Sequence, residues 1–195
     1  EKHTVITGLN FLYDNFEQRN IGTLDAKSFT TGVYVQHTWD VSENVKFENG
    51  LRVDNVSYSN TKFSKNQTFF LPRVSALFKI NSSWSSRIGA GLGYKIPTVF
   101  TEQTETVQYQ NVQPLENVEA EKSIGGTADI NYKGTIASDL VFALNQMFFI
   151  TQINKPLVLQ NENSSLFFMN ASKPVLSQGF ETNLKFIFKE DFKLF

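Results

Sequence analysis

The sequence predicts an all-β fold, an antiparallel up-and-down transmembrane β-barrel present as a fragment of about eight strands plus a stub. Three observations carry that expectation. The first is the stretch Trp84 to Glu102, WSSRIGAGLGYKIPTVFTE. Trp84, Ser86, Ile88, Ala90, Leu92, Tyr94 and Ile96 share one face there, and Ser85, Arg87, Gly89, Gly91, Gly93 and Lys95 share the other. A period of two with one apolar and one polar face suits a strand between lipid and water. Trp84 and Tyr94 are spaced as two aromatic girdles would be, on either side of a crossing of roughly 9 to 11 residues. The second is the alternation of long and short connections, because outer-membrane barrels have short periplasmic turns and longer extracellular loops. The third is the lack of helical periodicity: apolar residues never recur at i, i+3, i+4 and i+7 over a useful length, and no run of 18 apolar residues exists.

Composition is compatible with this and narrows the rest. The 195 residues are 41% hydrophobic and 19% charged, as in many soluble proteins, but 14% aromatic content with 19 Phe is high. A mean hydropathy of -0.25 does not argue against a membrane, since only alternate residues of a barrel strand meet lipid. Net charge of -1 and a pI near 6.2 give no pull toward nucleic acid. The absence of cysteine excludes thiolate metal sites and disulfides. The chain opens at Glu1 with neither Met nor a signal segment and is expected to be an internal piece of a longer protein.

Taken in order, His3 to Asp14 puts Val5, Leu9, Phe11 and Tyr13 outward and Thr4, Gly8 and Asn10 inward. After a polar loop over 15 to 28, Phe29 to Trp39 turns Thr31, Val33, Val35 and Trp39 outward. The short turn DVSEN leads to Val45 to Tyr58, with Val45, Phe47, Leu51 and Val53 opposite Lys46, Glu48, Gly50, Arg52 and Asp54. A second loop is expected over 59 to 68. Phe69 to Ile80 then sets Phe70, Val74, Ala76, Phe78 and Ile80 against Arg73, Ser75 and Lys79, and INSS turns the chain into Trp84. Beyond the longest loop, 96 to 121, Lys122 to Lys133 alternates, and KGTIAS makes a turn. Leu140 to Ile150 and, after a loop over 154 to 177, Phe180 to Phe188 complete the set; KED is a turn and FKLF begins a further strand. The long connections fall on the outer side of the membrane.

These segments resemble, in order and spacing, the barrel of TonB-dependent outer-membrane receptors. The residues that carry the resemblance are GLRVD at 50 to 54, FLPRVSALF at 70 to 78, RIGAGLGYKIPTVFTE at 87 to 102, ENVEAEKSIGG at 116 to 126, FFMNASKP at 167 to 174 and QGFETNLKF at 178 to 186. The resemblance implies residues 1–195 as part of a 22-stranded barrel in the bacterial outer membrane, closed around an N-terminal plug. It also implies active uptake of a scarce ligand: a ferric siderophore first, or haem, cobalamin or an oligosaccharide. Partners implied are the TonB complex acting through a plug absent from this chain, the small-molecule ligand, and the surrounding lipid and lipopolysaccharide. No cofactor is expected.

Two groups of residues are candidates for function. On the lumenal parity lie the charged residues Arg52, Arg73, Arg87, Lys95, Glu181 and Lys185. In the outer loops, Phe100, Glu102, Tyr109, Phe167, Phe168 and Met169 offer an aromatic and acidic ligand-binding mouth. The segment Ile96 to Glu121 carries Glu102, Glu105, Glu116, Glu119 and Glu121 without Lys or Arg and would steer anions away, whereas 59 to 68 carries Lys62 and Lys65. Gly89, Gly91 and Gly93 repeat within a strand, which is not a nucleotide-binding loop. His3 and His37 have no partner at ligand spacing, so a metal is not expected. No catalytic set can be assembled, and an enzyme is not expected. Two other readings remain: a small, complete eight-stranded outer-membrane barrel with a structural or adhesive role, and a soluble β-sandwich binding domain.

Overall fold

The computed structural model describes residues 2–17, 24–136, 140–188 and 192–194. Eight long antiparallel strands and a short ninth form one sheet: β1 (Lys2–Phe16), β2 (Ala26–Asp40), β3 (Val45–Asn60), β4 (Ser64–Lys79), β5 (Trp84–Lys95), β6 (Glu121–Ile136), β7 (Leu140–Asn154), β10 (Val175–Phe188) and β11 (Phe192–Leu194). Neighbours in sequence are neighbours in the sheet, apart from a separate hairpin, β8 (Leu157–Glu162) and β9 (Ser165–Asn170), inserted between β7 and β10. A five-residue helix, α1 (Glu102–Thr106), lies in the β5–β6 connection. Among the described residues β1 and β11 are the two edges and do not pair with each other, so the sheet is open.

The alternation read from the sequence is the alternation of the sheet. Outward residues such as Leu9, Phe70 and Phe180 are 71%, 65% and 71% exposed, an apolar face with no second sheet against it. That overturns the β-sandwich, whose two sheets bury their apolar faces on each other. The closed eight-stranded barrel is likewise not what is observed.

The strands run further outward than the sequence suggested. Residues 59 to 68 are not a long loop: β3 continues to Asn60, β4 begins at Ser64, and only 61–63 turn. Alternation of apolar and polar residues ends before backbone pairing does, because the strands leave the lipid band. Above Val53 and Phe70 the outward positions become Asn55, Ser57, Asn66 and Thr68. Asn55 and Asn66 exchange amide hydrogen bonds of 2.9 and 3.0 Å, and their remaining donors reach Thr68 and Ser57. Of the turns expected on the other side, 41–44 and 80–83 are seen. β6 continues through the expected turn as far as Ile136, and the KED turn lies outside the described residues, as do 18–23 of the first outer loop.

One face assignment is corrected. β4 pairs with β5 only from Arg73↔Gly91 to Lys79↔Ser85; beyond that point Pro72 has no N–H to offer a neighbour, and the strands part. Released from this ladder, Tyr94 and Ile96 pack with Val56, Tyr58, Phe69 and Ala120 on the lumenal parity instead of facing lipid. Tyr94 stacks on Phe69 with ring centroids 4.0 Å apart and planes within 1°. The girdle at the turn end is as expected in residue type: Trp84 packs on Tyr132, and Trp39 on Phe47.

Candidate ligand vestibule at the outer rim

The outer connections fold on one another. Leu24, Val99, Val112, Leu115, Val118 and Phe168 form a buried cluster, flanked by Phe63, Phe100, Tyr109, Leu157, Leu159 and Leu166. Residues from the first, second, third and fourth outer connections thus share one core. Hydrophobic side chains alone would leave such loops without a fixed register, and backbone hydrogen bonds supply it. Gln113 N–H donates to Leu166 O at 2.7 Å, and Leu166 N–H donates to Asn111 O at 2.9 Å, which ties 111–113 to the edge of β9. Asn60 donates through Nδ2 to Leu115 O at 2.8 Å, while its Oδ1 accepts from the N–H groups of Lys62 and Phe63 in the tight β3–β4 turn. Helix α1 is stabilised at its start by a reciprocal cap, Thr101 with Thr104.

At the base of the β5–β6 connection, Glu119 joins three elements. Its carboxylate lies 2.6 Å from Lys155 Nζ and 3.6 Å from Lys65 Nζ. Its backbone N–H donates to Asn170 Oδ1 at 2.7 Å, and its carbonyl accepts from Asn170 Nδ2 at 3.0 Å. The hydrogen bond from Lys155 and the charges of Lys155 and Lys65 hold the Glu119 carboxyl below the usual carboxylate range. Two residues on, Glu121 accepts from Leu157 N–H at 2.5 Å.

Below this cap, the inner wall carries a fully buried carboxylate. Arg52 Nε donates to both Asp54 oxygens at 2.7 and 2.9 Å, and Tyr94 Oη donates to Oδ2 at 2.9 Å. Asp54 faces Gly32 across the β2–β3 ladder, where a Cβ would collide with Oδ1. The glycine is therefore required by the close approach of that carboxylate.

Between the cap and the outer ends of β1 to β3 lies a cavity of about 260 Å³. Phe16, Leu24, Phe63, Val99, Phe100 and Leu115 make its apolar walls, with Asp14, Asp25 and Lys27 among its polar groups. Phe100 sits in the wall between Phe16 and Tyr109, at centroid distances of 4.9 and 5.8 Å. At the other end of the wall, a broad concave groove of about 1170 Å³ is lined by Arg87, Asp129, Asn131, Asn145, Asn183 and Lys185.

The structure divides the mouth residues read from sequence. Phe100 and Tyr109 belong to the cap beside the cavity. Phe168 is 5% exposed and is part of the cluster core, so it offers no contact surface. Phe167 and Met169 occupy the opposite face of the β8–β9 hairpin, in register with Gln160 and Val158, and Met169 is 46% exposed. Glu102 is exposed in the first turn of α1. Of the lumenal charges, Arg52 is engaged with Asp54, Arg87 stands opposite Asp129, and Lys95 opposite Glu121. Arg73 faces Gly50 and Gly91 in the ladders, and Glu181 accepts from Asn183 at 2.7 Å. Asp54, Tyr94, Glu119 and Asn170 lie outside both the lumenal charges and the mouth residues read from sequence. Asn60 and Asn170 gave no signal in the linear pattern, since their partners are 55 and 51 residues away.

A single up-and-down sheet with an apolar outer face, a polar inner face and a structured cap at one rim defines a transmembrane β-barrel wall of the outer-membrane kind. The chain belongs to the family described as TonB dependent receptor-like, beta-barrel, which matches residues 3–194, and with that family it is placed in the bacterial outer membrane, among receptors and not enzymes. Among solved structures, the chain is similar to the FrpB iron transporter from Neisseria meningitidis (F3-3 variant), with a TM-score of 0.73 and 16% identity, covering 95% of this chain and 30% of that one. It is also similar to the Serratia marcescens hemophore receptor HasR, solved with its hemophore HasA and heme (TM-score 0.78, 12% identity, covering 94% and 37%). A third is the siderophore receptor PirA from Pseudomonas aeruginosa (TM-score 0.61, 16% identity, covering 94% and 36%). The chain spans about a third of the length of these relatives. No curated protein matches it by sequence.

Proposed function

We propose that residues 1–195 form part of the barrel wall and outer vestibule of a receptor that imports a scarce ligand, with a ferric siderophore as the leading cargo and haem, cobalamin or an oligosaccharide as the others. The observation that carries this reading is the built vestibule: four outer connections share a core above an inner-wall cavity bordered by Phe100. Loops that served only to join strands would have no reason to bury Val118 and Leu115 to 2% and 5% exposure. The printed names of the structural neighbours, an iron transporter, a hemophore receptor and a siderophore receptor, support iron-bearing cargo. In this reading Phe100, Tyr109, Phe167 and Met169 are ligand contacts, and the lumenal charges line the passage. Movement of ligand inward would draw on TonB acting through a plug, and the outward face would meet lipid and lipopolysaccharide.

A deletion strain tests the cargo. Growth on ferric siderophore as sole iron source is expected to fail in the deletion and return with the intact gene, while growth on inorganic iron in excess is unchanged. Equal growth of deletion and parent on siderophore iron, haem, cobalamin and oligosaccharide would refute the uptake reading.

A further inference from the structure

We infer that His3 and His37 form a two-imidazole site for a divalent transition-metal cation, with Cu²⁺ bound more tightly than Zn²⁺, on the outward face of the sheet at its turn end. The two residues are 34 positions apart in sequence, and only the β1–β2 ladder brings them together. In that ladder Val5 stands opposite His37 and His3 opposite Trp39, so the histidines are diagonal neighbours on one face. His3 Nδ1 lies 3.0 Å from His37 Nε2, the ring planes are within 7° with centroids 5.3 Å apart, and His3 also stacks on Trp39 at 5.7 Å.

That separation suits a shared metal. Two imidazole nitrogens at about 2.0 to 2.1 Å from one cation, subtending a right or a tetrahedral angle, stand about 2.8 to 3.4 Å apart. The strands need not move; the rings need only turn their lone pairs to a common point. In the metal-free pair one ring donates its N–H to the other. In the bound form that ring carries its proton on its other nitrogen, so no net proton is lost. Trp39 limits how far His3 can swing. Imidazole donors select Cu²⁺, Ni²⁺ and Zn²⁺ over the oxygen-seeking Ca²⁺ and Mg²⁺, and the general order of affinities puts Cu²⁺ first. Among the described residues no third His, Cys, Asp or Glu completes the set. The remaining coordination positions are therefore for water or for a lipid phosphate at the girdle, and the cation acts as a clip between β1 and β2.

The test uses the intact receptor in detergent, stripped of metal and titrated with Cu²⁺ alone. Bound equivalents are counted, and nitrogen hyperfine splitting is read by electron paramagnetic resonance. The expected result is that His3→Asn and His37→Asn each remove the same single equivalent with a two-nitrogen signature, and that the double variant removes no more. Equal binding by the parent and the double variant, or a two-nitrogen species surviving in either single variant, would overturn the site. Assembly is followed by heat-modifiable gel migration; if His37→Asn does not assemble, His3→Asn, at the exposed start of β1, decides alone.

Discussion

Asp54 is where a single atom has most consequence in this wall. Its oxygens are held by Arg52 and Tyr94, and the missing side chain of Gly32 makes their space. Tyr94→Phe removes a hydrogen bond to a charged group and is expected to cost about 1.5 to 3 kcal/mol, read from the denaturant midpoint of the intact protein in detergent. Gly32→Ala displaces the carboxylate that both partners hold, so the double variant should cost less than the sum of the two; strict additivity would mean that Gly32 and Tyr94 act on different groups. The lipid face offers a second test. Ile88, half exposed in the middle of β5, is expected to tolerate arginine poorly, at about 2 to 4 kcal/mol near the midplane, whereas Asn183→Arg on the lumenal face should change little. Ser75 would be a poor lumenal control: it is 8% exposed, with its hydroxyl 3.3 Å from Glu48 Oε2. Equal loss of assembly for Ile88→Arg and Asn183→Arg would contradict the two faces.

At the scale of elements, the Glu119 junction makes the β5–β6 connection and the β8–β9 hairpin one unit. The folded-state carboxyl is held below its ordinary range, so its contribution is complete above the unfolded value of 4.5 and is lost as pH falls through the lower folded value. Spin labels at Gln110 and Asn163 should therefore keep a narrow distance distribution at neutral pH and broaden below about pH 4.5, and Glu119→Gln should broaden it already at neutral pH. A distribution unchanged across that range would show that the apolar cluster alone joins the loops.

The same elements show what the linear pattern could carry. Strand number and facing were legible because lipid demands an apolar residue at every second position. Strand ends were not, because Asn55, Ser57, Asn66 and Thr68 face outward above the lipid, where alternation no longer marks pairing. Parity puts Tyr94 on the lipid face because it extrapolates through a ladder, and this ladder stops at Arg73, before Pro72. The β8–β9 hairpin did leave a signal, the apolar runs Leu157–Leu159 and Leu166–Met169 on either side of Asn163 and Ser164, whose φ values of 50° and 66° suit the tight hairpin turn. Helix α1, five residues with a Thr-to-Thr cap, is too short for periodicity to reveal. Within the outer connections, aromatic content does not tell surface from core: Met169 is exposed and Phe168 is buried.

For the whole molecule, the sheet order sets sidedness. Cysteines at Gln110 and Asn163 should react with a membrane-impermeant reagent on intact cells, while cysteines at Ser42 and Ser82 should react only after the outer membrane is permeabilised. Labelling of Ser42 or Ser82 in intact cells would invert the topology. Asn66 is a weaker reporter than its expected loop position implied, because it lies on β4, bonded to Asn55 and Ser57. The open edges make a further prediction. Among the described residues β1 and β11 end the sheet with one neighbour each, and the outer face is apolar, so this chain alone in aqueous buffer should associate through edge pairing. A monodisperse monomer without detergent, by light scattering, would count against that.

Mechanically, the parting of β4 from β5 turns the upper β3–β4 hairpin into a cantilever. From Ser64 to Pro72, β4 is laddered on one side only, to β3, and below Arg73 it is clamped on both. Across the gap the beam is tied by side chains: the Phe69–Tyr94 stack, the Tyr94–Asp54 hydrogen bond, a 3.3 Å hydrogen bond from Ala120 N–H to Gln67, the Asn60 hydrogen bond to Leu115 O and the Lys65–Glu119 ion pair. Deflecting it strains these side-chain ties and breaks no β4–β5 ladder bond, so the compliance of the wall is concentrated at one seam. A load on the β5–β6 connection bends that hairpin before it slips the register of any strand.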